Sequence, residues 1–402
     1  MLANFQREYN MNRVFLSTTG LWPFQSKHVR NSLRTFCLLL EISYYPFEIL
    51  LLYDHWGDPG MVFEALYQFI LLTAFIVRAL HDIWNRDKLQ RLYTAIDEHW
   101  DIFTNDTEVC VLKNYSSLSR KFTKYYATII YLMCSVSLTV PLTPLLLDIV
   151  IPLNESRPRF FLMEVEFRVD KKDYFVPIFC YTTTVIMVGM TIMVGVDAMH
   201  VICTAHACSL FAAISKQVKN IFSKVNNGKI GECGYRANME LDSSSEEIIY
   251  REYIICLKKH QLAIEFVKTL ELSYQELSLL LLLLIIATFS LVGVRIIHVL
   301  HQLKELMKFA FIIVGVLVTL MIVCYSSQRL MDESQNIFYQ AYAAEWYHFS
   351  PRLKSLLMIT LYRTNTPCVL KAGNVIPLSI ATYTAVIRVA ISYFTAFLSL
   401  QE

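Results

Sequence analysis

The sequence predicts an all-α, polytopic membrane protein. It reads as a seven-transmembrane helical bundle with a cytosolic N-terminus, an extracellular C-terminus and a cytosolic helical anchor layer. Three observations carry this. Of 402 residues, 55% are hydrophobic and only 17% charged, where a soluble domain carries about a quarter charged. Seven apolar stretches reach the ~20 helical residues that a hydrocarbon core of about 30 Å requires. The connections between them differ sharply in positive charge.

The predicted spans are 35–53, 61–80, 125–147, 175–200, 277–298, 307–328 and 375–400. The leucine-rich run 277–286 makes the fifth the plainest. The first contains Glu41 and Glu48. A carboxylate facing lipid is costly, so both are expected to face a protein or water-filled interior. The N-terminal arm and alternate connections hold 27 of the 36 Lys and Arg residues, the opposite connections hold 8, and Arg388 lies inside the last span. By the positive-inside rule this split puts the N-terminus in the cytosol. Seven-span receptors that couple to G proteins have the reverse orientation, so no G protein is required here.

The net charge of +2, without a polybasic run, argues against a nucleic-acid partner. The ten cysteines are scattered and lack the paired spacing of a secreted scaffold. The first 31 residues are polar, broken by Pro23 and without an apolar h-region, so the first span is expected to direct insertion. Asn154-Glu155-Ser156 falls in an outer connection and is the predicted glycosylation site, at Asn154. Asn105-Asp106-Thr107 and Asn114-Tyr115-Ser116 fall on the cytosolic side and read as chance matches.

The cytosolic side is the bulkier one. The fourth span continues as a helix over 204–222, and Asn226, Asn227, Gly228, Gly231 and Gly234 then break it. A helix restarts at Ser243-Ser244-Ser245-Glu246-Glu247, with two overlapping capping boxes. Ile249, Tyr253, Cys256, His260 and Ile264 recur at helical spacing on the way into the fifth span. After the sixth span, 331–347 reads as a separate helix stopped near Ser350-Pro351, and another helix runs to Arg363 before Thr366-Pro367. Apolar faces on these helices predict an assembly layer rather than an active site. The chain divides into an arm (1–34), spans one to four with their cytosolic extension (35–222), a cytosolic loop with spans five and six and anchor helices (223–374), and the last span with the outer C-terminus (375–402).

No GxGxxG, P-loop, HExxH, GxSxG or CxxC motif is present, so enzymatic chemistry is not expected. His200, Cys203, His206 and Cys208 form the nearest approach to a metal set. No carboxylate supports them, and they read as ordinary residues at a membrane boundary; neither a metal nor a cofactor is predicted. In the last span, Thr384, Arg388, Ser392, Thr395 and Ser399 make one polar stripe on a helix otherwise of Ala, Val, Ile and Phe. Such a stripe suits either hydrogen bonding between packed helices or the wall of a pore.

Along its whole length the chain resembles the insect odorant receptor family. The matching pieces are Gly20-Leu21-Trp22-Pro23, Cys324-Tyr325-Ser326, Tyr342 with Trp346-Tyr347, the helix over 353–363 followed by Pro367, Ala372-Gly373, Pro377-Leu378-Ser379 and Ile391-Ser392-Tyr393-Phe394-Thr395. The sister gustatory receptors carry Thr-Tyr then Gln-Phe in the last span. Here Thr382-Tyr383 is followed by Val389-Ala390, which disfavours that ligand-gated alternative. A transporter is disfavoured too, since no inverted repeat is evident.

The resemblance implies an odorant-gated, non-selective cation channel in the plasma membrane of sensory neurons. It further implies a heterotetramer with the odorant receptor co-receptor around a pore lined by the seventh helices. The chain lacks room for the co-receptor's large fourth-to-fifth insertion, so it is similar to a tuning subunit. By the same resemblance a small volatile odorant enters the outer half of the bundle. The candidate contacts there are Phe63, Tyr67 and Ile70; Cys134, Ser137 and Leu138; Tyr181 and Val185; and Met307, Phe311 and Val314. The family's hydrophobic gate maps to Ala396, with Ser392, Thr395 and Ser399 along the same pore wall. Membrane lipid surrounds the assembly.

Overall fold

A computed structural model describes residues 2–151, 157, 161, 163–171, 173–227, 243–298 and 303–399. The chain is almost wholly helical. In order come α1 (Ala3–Thr18), α2 (Lys27–Ile42), α3 (Tyr45–Asp54), α4 (Pro59–Trp84), α5 (Arg86–Ile102), α6 (Asp106–Val150), α7 (Phe175–Asn227), α8 (Ser243–His298), α9 (Leu303–Tyr342), α10 (Pro351–Thr364) and α11 (Ile380–Ser399). Among the described residues six helical segments are long and apolar enough to cross a membrane, the first being α2 and α3 together, and α11 adds a shorter apolar helix. At 1.5 Å per residue the 45 residues of α6 extend about 67 Å. This helix therefore runs well beyond a bilayer, as do α7, α8 and α9. Their projecting ends pack with α1, α5 and α10 into one layer, here the anchor end; the α6–α7 connection marks the opposite, loop end.

The arm is not a loose tail. Its α1 buries Phe5, Tyr9, Asn12 and Leu16, at helical spacing, against α5, α6 and α7. The helix ends in a Schellman motif: the Leu21 N–H donates to the Leu16 carbonyl at 2.8 Å, and that of Gly20 to Ser17 at 3.4 Å. Gly20 has φ +72°, and a Cβ there would press on the Arg34 backbone. The cap turns Trp22 inward to stack on Tyr93 at 5.7 Å. That accounts physically for the Gly20-Leu21-Trp22-Pro23 signature.

Three expectations are corrected. The first span is two helices, because Pro46 has no N–H for the Ile42 carbonyl and the chain breaks at Ser43–Tyr44. The sixth span and the helix expected over 331–347 are one rod, α9, which ends at Tyr342; a short 3-10 turn, Trp346–His348, follows. The Ser350 hydroxyl then accepts from the Leu353 N–H and starts α10. The last span begins at Ile380 rather than 375. Ahead of it a two-stranded hairpin, β1 (Lys371–Ala372) and β2 (Ile376–Pro377), pairs Ala372 with Ile376. Gly373 and Asn374 both have φ near +59°, the sense a tight hairpin turn requires. The Gly373 N–H docks the hairpin by donating to the Gln275 carbonyl of α8 at 2.8 Å.

The capping boxes at Ser243 and the glycine break after Asn227 involve side chains and residues outside those described. Asn154 also lies outside the described residues.

Candidate ligand cluster and candidate pore helix

The loop end holds an aromatic-rich cluster. Tyr44, Leu72, Cys134, Met163, Val165, Val185 and Ile186 are buried in it, with Leu40, Tyr45, Phe47, Leu138, Phe167, Tyr181, Met187 and Met190 packed against them. Of the candidate contacts, the structure brings together Cys134, Leu138, Tyr181 and Val185. Tyr67 instead joins Val292, Phe309, Ile296, Ile312 and Ile313, between α8 and α9. Phe63, Ile70 and Ser137 are partly buried outside the cluster. Val314 faces outward, 54% exposed, so it lines no interior of this chain. The side chains of Met307 and Phe311 lie outside those described.

Sequence reasoning missed the contributions of α2, α3 and the α6–α7 connection. The break at Ser43 turns two consecutive tyrosines into the bundle. Tyr44 stacks on Tyr181 at 6.0 Å, and Tyr45 meets Phe69 edge-on at 4.7 Å. The Ser43 hydroxyl lies 2.7 Å from that of Tyr181, and Tyr45 hydrogen-bonds Thr73 at 2.9 Å. Over the top, Met163, Val165 and Phe167 point inward from an extended strip, and Phe167 packs on Phe47 at 4.5 Å. Arg168 ties the strip to Asp54 at 3.0 Å. Their alternation, every second residue apolar, is the signal that could have found them. Beneath the cluster Gly189 lets α7 approach α4: a methyl group there would overlap the Phe75 ring.

Acidic and polar groups border this cluster. Glu41 and Glu48 are both 0% exposed. As expected for carboxylates in a span, they lie inward on the face that carries Cys37, Tyr44 and Leu51. On α4, Glu64 and Gln68 are also buried, and the Gln68 amide donates to Glu64 at 3.0 Å.

Nearer the anchor end, Arg78 of α4 forms a bidentate pair with Asp197 of α7, at 2.8 and 3.0 Å, and Tyr126 of α6 donates to the same carboxylate at 3.3 Å. A cavity of about 40 Å³ opens beside it, lined among others by His200, Tyr274, Ser278 and Thr319. The supposed metal residues diverge. His200 packs on Tyr274, while His206 faces α5, its Nε2 3.0 Å from His99 Nδ1. Among the described residues no three His, Cys, Asp or Glu side chains converge on a metal position. Burial of His99 disfavours its charged form and lowers its pKa to about 4.

The last helix packs on α8 and α9 and leaves its polar stripe free. Thr384, Arg388, Ser392, Thr395, Ala396 and Ser399 are all exposed. The hydroxyls are satisfied within the helix: Ser392 donates to the Arg388 carbonyl at 2.9 Å, Thr395 to Ser392 at 3.0 Å and Ser399 to Ala396 at 2.8 Å. Arg388 makes no ion pair with any described residue.

A multi-pass, mostly helical membrane protein with an aromatic cluster at one end and an uncovered polar helix near its C-terminus is the class these features define. A family model described as 7tm Odorant receptor matches residues 58–391, and the chain belongs to that family of insect odorant receptors. It is 21% identical to odorant receptor Or2 of Anopheles gambiae over 362 residues, 87% of each chain. It is also 31% identical to odorant receptor 67a of Drosophila melanogaster over 106 residues, 26% of each. Its fold is similar to that of the insect olfactory receptor OR5 from Machilis hrabei in complex with eugenol, at a TM-score of 0.74, 12% identity and 99% coverage of both chains.

Proposed function

We propose that the chain is the tuning subunit of an odorant-gated, non-selective cation channel. It assembles with the odorant receptor co-receptor in the plasma membrane of sensory neurons, with its N-terminus in the cytosol and its C-terminus outside. One observation carries the reading: α11 turns a polar stripe of Thr384, Arg388, Ser392, Thr395 and Ser399 away from its own chain. In a bilayer that face needs water or other subunits against it. A ring of such helices around a shared axis supplies both. The anchor end supports assembly: Met358, Ile359 and Tyr362 stand exposed on α10, which is not among the helices long and apolar enough to cross a membrane, and Tyr339 and Tyr342 stand exposed at the end of α9. An exposed apolar patch of that kind marks an interaction surface.

The loop-end cluster is the ligand site in this reading. An odorant burying about 300 Å² of apolar area gains ~7 kcal/mol. Lost translation and rotation oppose this by ~4 kcal/mol or more. Binding is therefore micromolar or weaker, and opening requires tighter binding to the open state than to the closed one. Ala396 is a small residue for a gate, so partner subunits supply the closed-state seal.

The test is a voltage-clamp recording with a panel of volatiles, with and without the co-receptor. Robust inward currents only when both chains are present are expected. Equally large currents from the chain alone, in cells lacking other receptors, would overturn the reading.

A further inference from the structure

The loop-end cluster contains polar groups that an all-apolar odorant would leave stranded. Neither oxygen of Glu48 has a hydrogen-bond partner among the described residues, nor has the Tyr44 hydroxyl or Gln68 Oε1, and all are buried. Glu41, seven residues earlier and near the end of α2, is in the same condition. Glu48 and Tyr44 both lie within electrostatic reach of Glu64, the partner of the Gln68 amide. No basic side chain among the described residues stands against Glu41 or Glu48.

Leaving a carboxylate buried and unpaired is among the costliest arrangements a protein can keep. A metal ion is the wrong complement, because among the described residues no three ligating side chains converge here. What surrounds the acids is aromatic: Tyr44, Tyr45, Phe47, Phe167 and Tyr181. Ring faces beside a carboxylate form the usual surroundings of an organic ammonium group.

We propose that this site recognises a volatile primary amine, with Glu48 as counter-ion, Tyr44 and Gln68 as further acceptors, and Tyr181 and Phe47 as the ring walls. A primary ammonium carries three N–H donors, and Glu48, the Tyr44 oxygen and Gln68 Oε1 offer three unfilled acceptors for them. The free amine meeting the carboxylic acid, or the ammonium meeting the carboxylate, gives the same ion pair with the same number of protons. The hydrocarbon part of the ligand lies against Cys134, Leu138 and Val185.

This proposal rests on the loop-end cluster being the odorant site of the channel. It is tested on the full chain with its co-receptor, using four ligands of one shape: cyclohexylamine, cyclohexanol, cyclohexanone and methylcyclohexane. The amine is expected to open the channel at a concentration about tenfold or more below that of the alcohol, as a charge-assisted hydrogen bond implies. Glu48→Gln should raise the half-maximal amine concentration by about tenfold while moving the alcohol by about threefold or less. Gln68→Leu should weaken the amine in the same direction. Equal sensitivity to all four, preference for the ketone, or an amine preference that survives Glu48→Gln would overturn the proposal. Currents to other volatiles with none to any amine would overturn it and leave the channel reading intact. Silence to every volatile, in cells where both chains reach the surface, would overturn both.

Discussion

At the scale of single residues, the molecule is held by polar groups placed where water is scarce. The Arg78–Asp197 pair joins α4 to α7 with both side chains nearly buried. Removing one partner of a buried pair strands the other charge and costs about 3–5 kcal/mol. Asp197→Asn should therefore lower the melting temperature of the purified chain and its yield at the cell surface, while Arg78→Met with Asp197→Leu should recover much of the loss. An unchanged melting curve in Asp197→Asn would show that water already reaches the pair. His99 gives a pH dependence of known sign. Its pKa falls from 6.5 to about 4 on folding, because burial opposes the charge. Below pH 6.5 the unfolded chain takes up a proton that the folded site refuses, so stability is complete above that pH and declines as pH falls toward 4. The loss across the window is ~3 kcal/mol. Melting curves between those limits, with and without His99→Gln, measure it; a wild-type curve flat with pH would contradict the assignment.

At the scale of elements, the periodic pattern made most helices legible and left their junctions unread. The continuation of the fourth span through Phe222, the restart at Ser243 and the helix from Pro351 all follow from apolar spacing and caps in the sequence. The arm helix did not stand out. Its buried set, Phe5, Glu8, Tyr9, Asn12 and Leu16, mixes two polar residues with three apolar ones and carries no side-chain N-terminal cap. The inward strip Met163, Val165 and Phe167 alternates with Glu164 and Glu166, and hydropathy averaged over a span hides an alternation of that length. Of the candidate site, the α6 and α7 contacts were readable from helical position. The Tyr44 and Phe47 wall was not, because it depends on the break that Pro46 imposes. Close packing adds a test at this scale. Gly189→Ala should wedge α7 from α4 against Phe75 and reduce odorant sensitivity by about tenfold. Adding Phe75→Leu should restore most of it, whereas Gly189→Ala at wild-type sensitivity would mean the two helices separate freely at that point.

At the scale of the whole molecule, the two ends have different characters. The anchor end is a polar-laced layer in which the buried Glu108 takes Lys259 at 2.7 Å, Tyr115 donates to Glu333 at 2.7 Å and Tyr253 bonds Thr360 at 2.7 Å. The loop end is aromatic and holds two acids, Glu41 and Glu48, whose oxygens have no hydrogen-bond partner among the described residues. Between them α11 stands with its polar stripe uncovered, started by a hairpin that the Gly373 N–H fastens to α8. Arg388 is exposed, about three turns before Ser399, and in the proposed channel it lies below the gate position, in a wider and wetter stretch of the path. Position in the sequence and helical spacing together identified this stripe; which neighbours cover it is a property of the assembly and not of one chain.

The central claim is that α11 lines a cation pathway. Single-channel conductance and calcium-to-sodium permeability, recorded for the chain with its co-receptor, test it most directly through Ala396→Leu, Ser392→Ala and Ser399→Glu. A bulkier residue at the gate position should raise the closed-state barrier and cut currents, while Ser399→Glu should raise the calcium permeability ratio by about two- to threefold through local negative potential, an effect confined to the ~8 Å screening distance. Conductance and selectivity unchanged in all three variants, each present at the cell surface, would contradict the account.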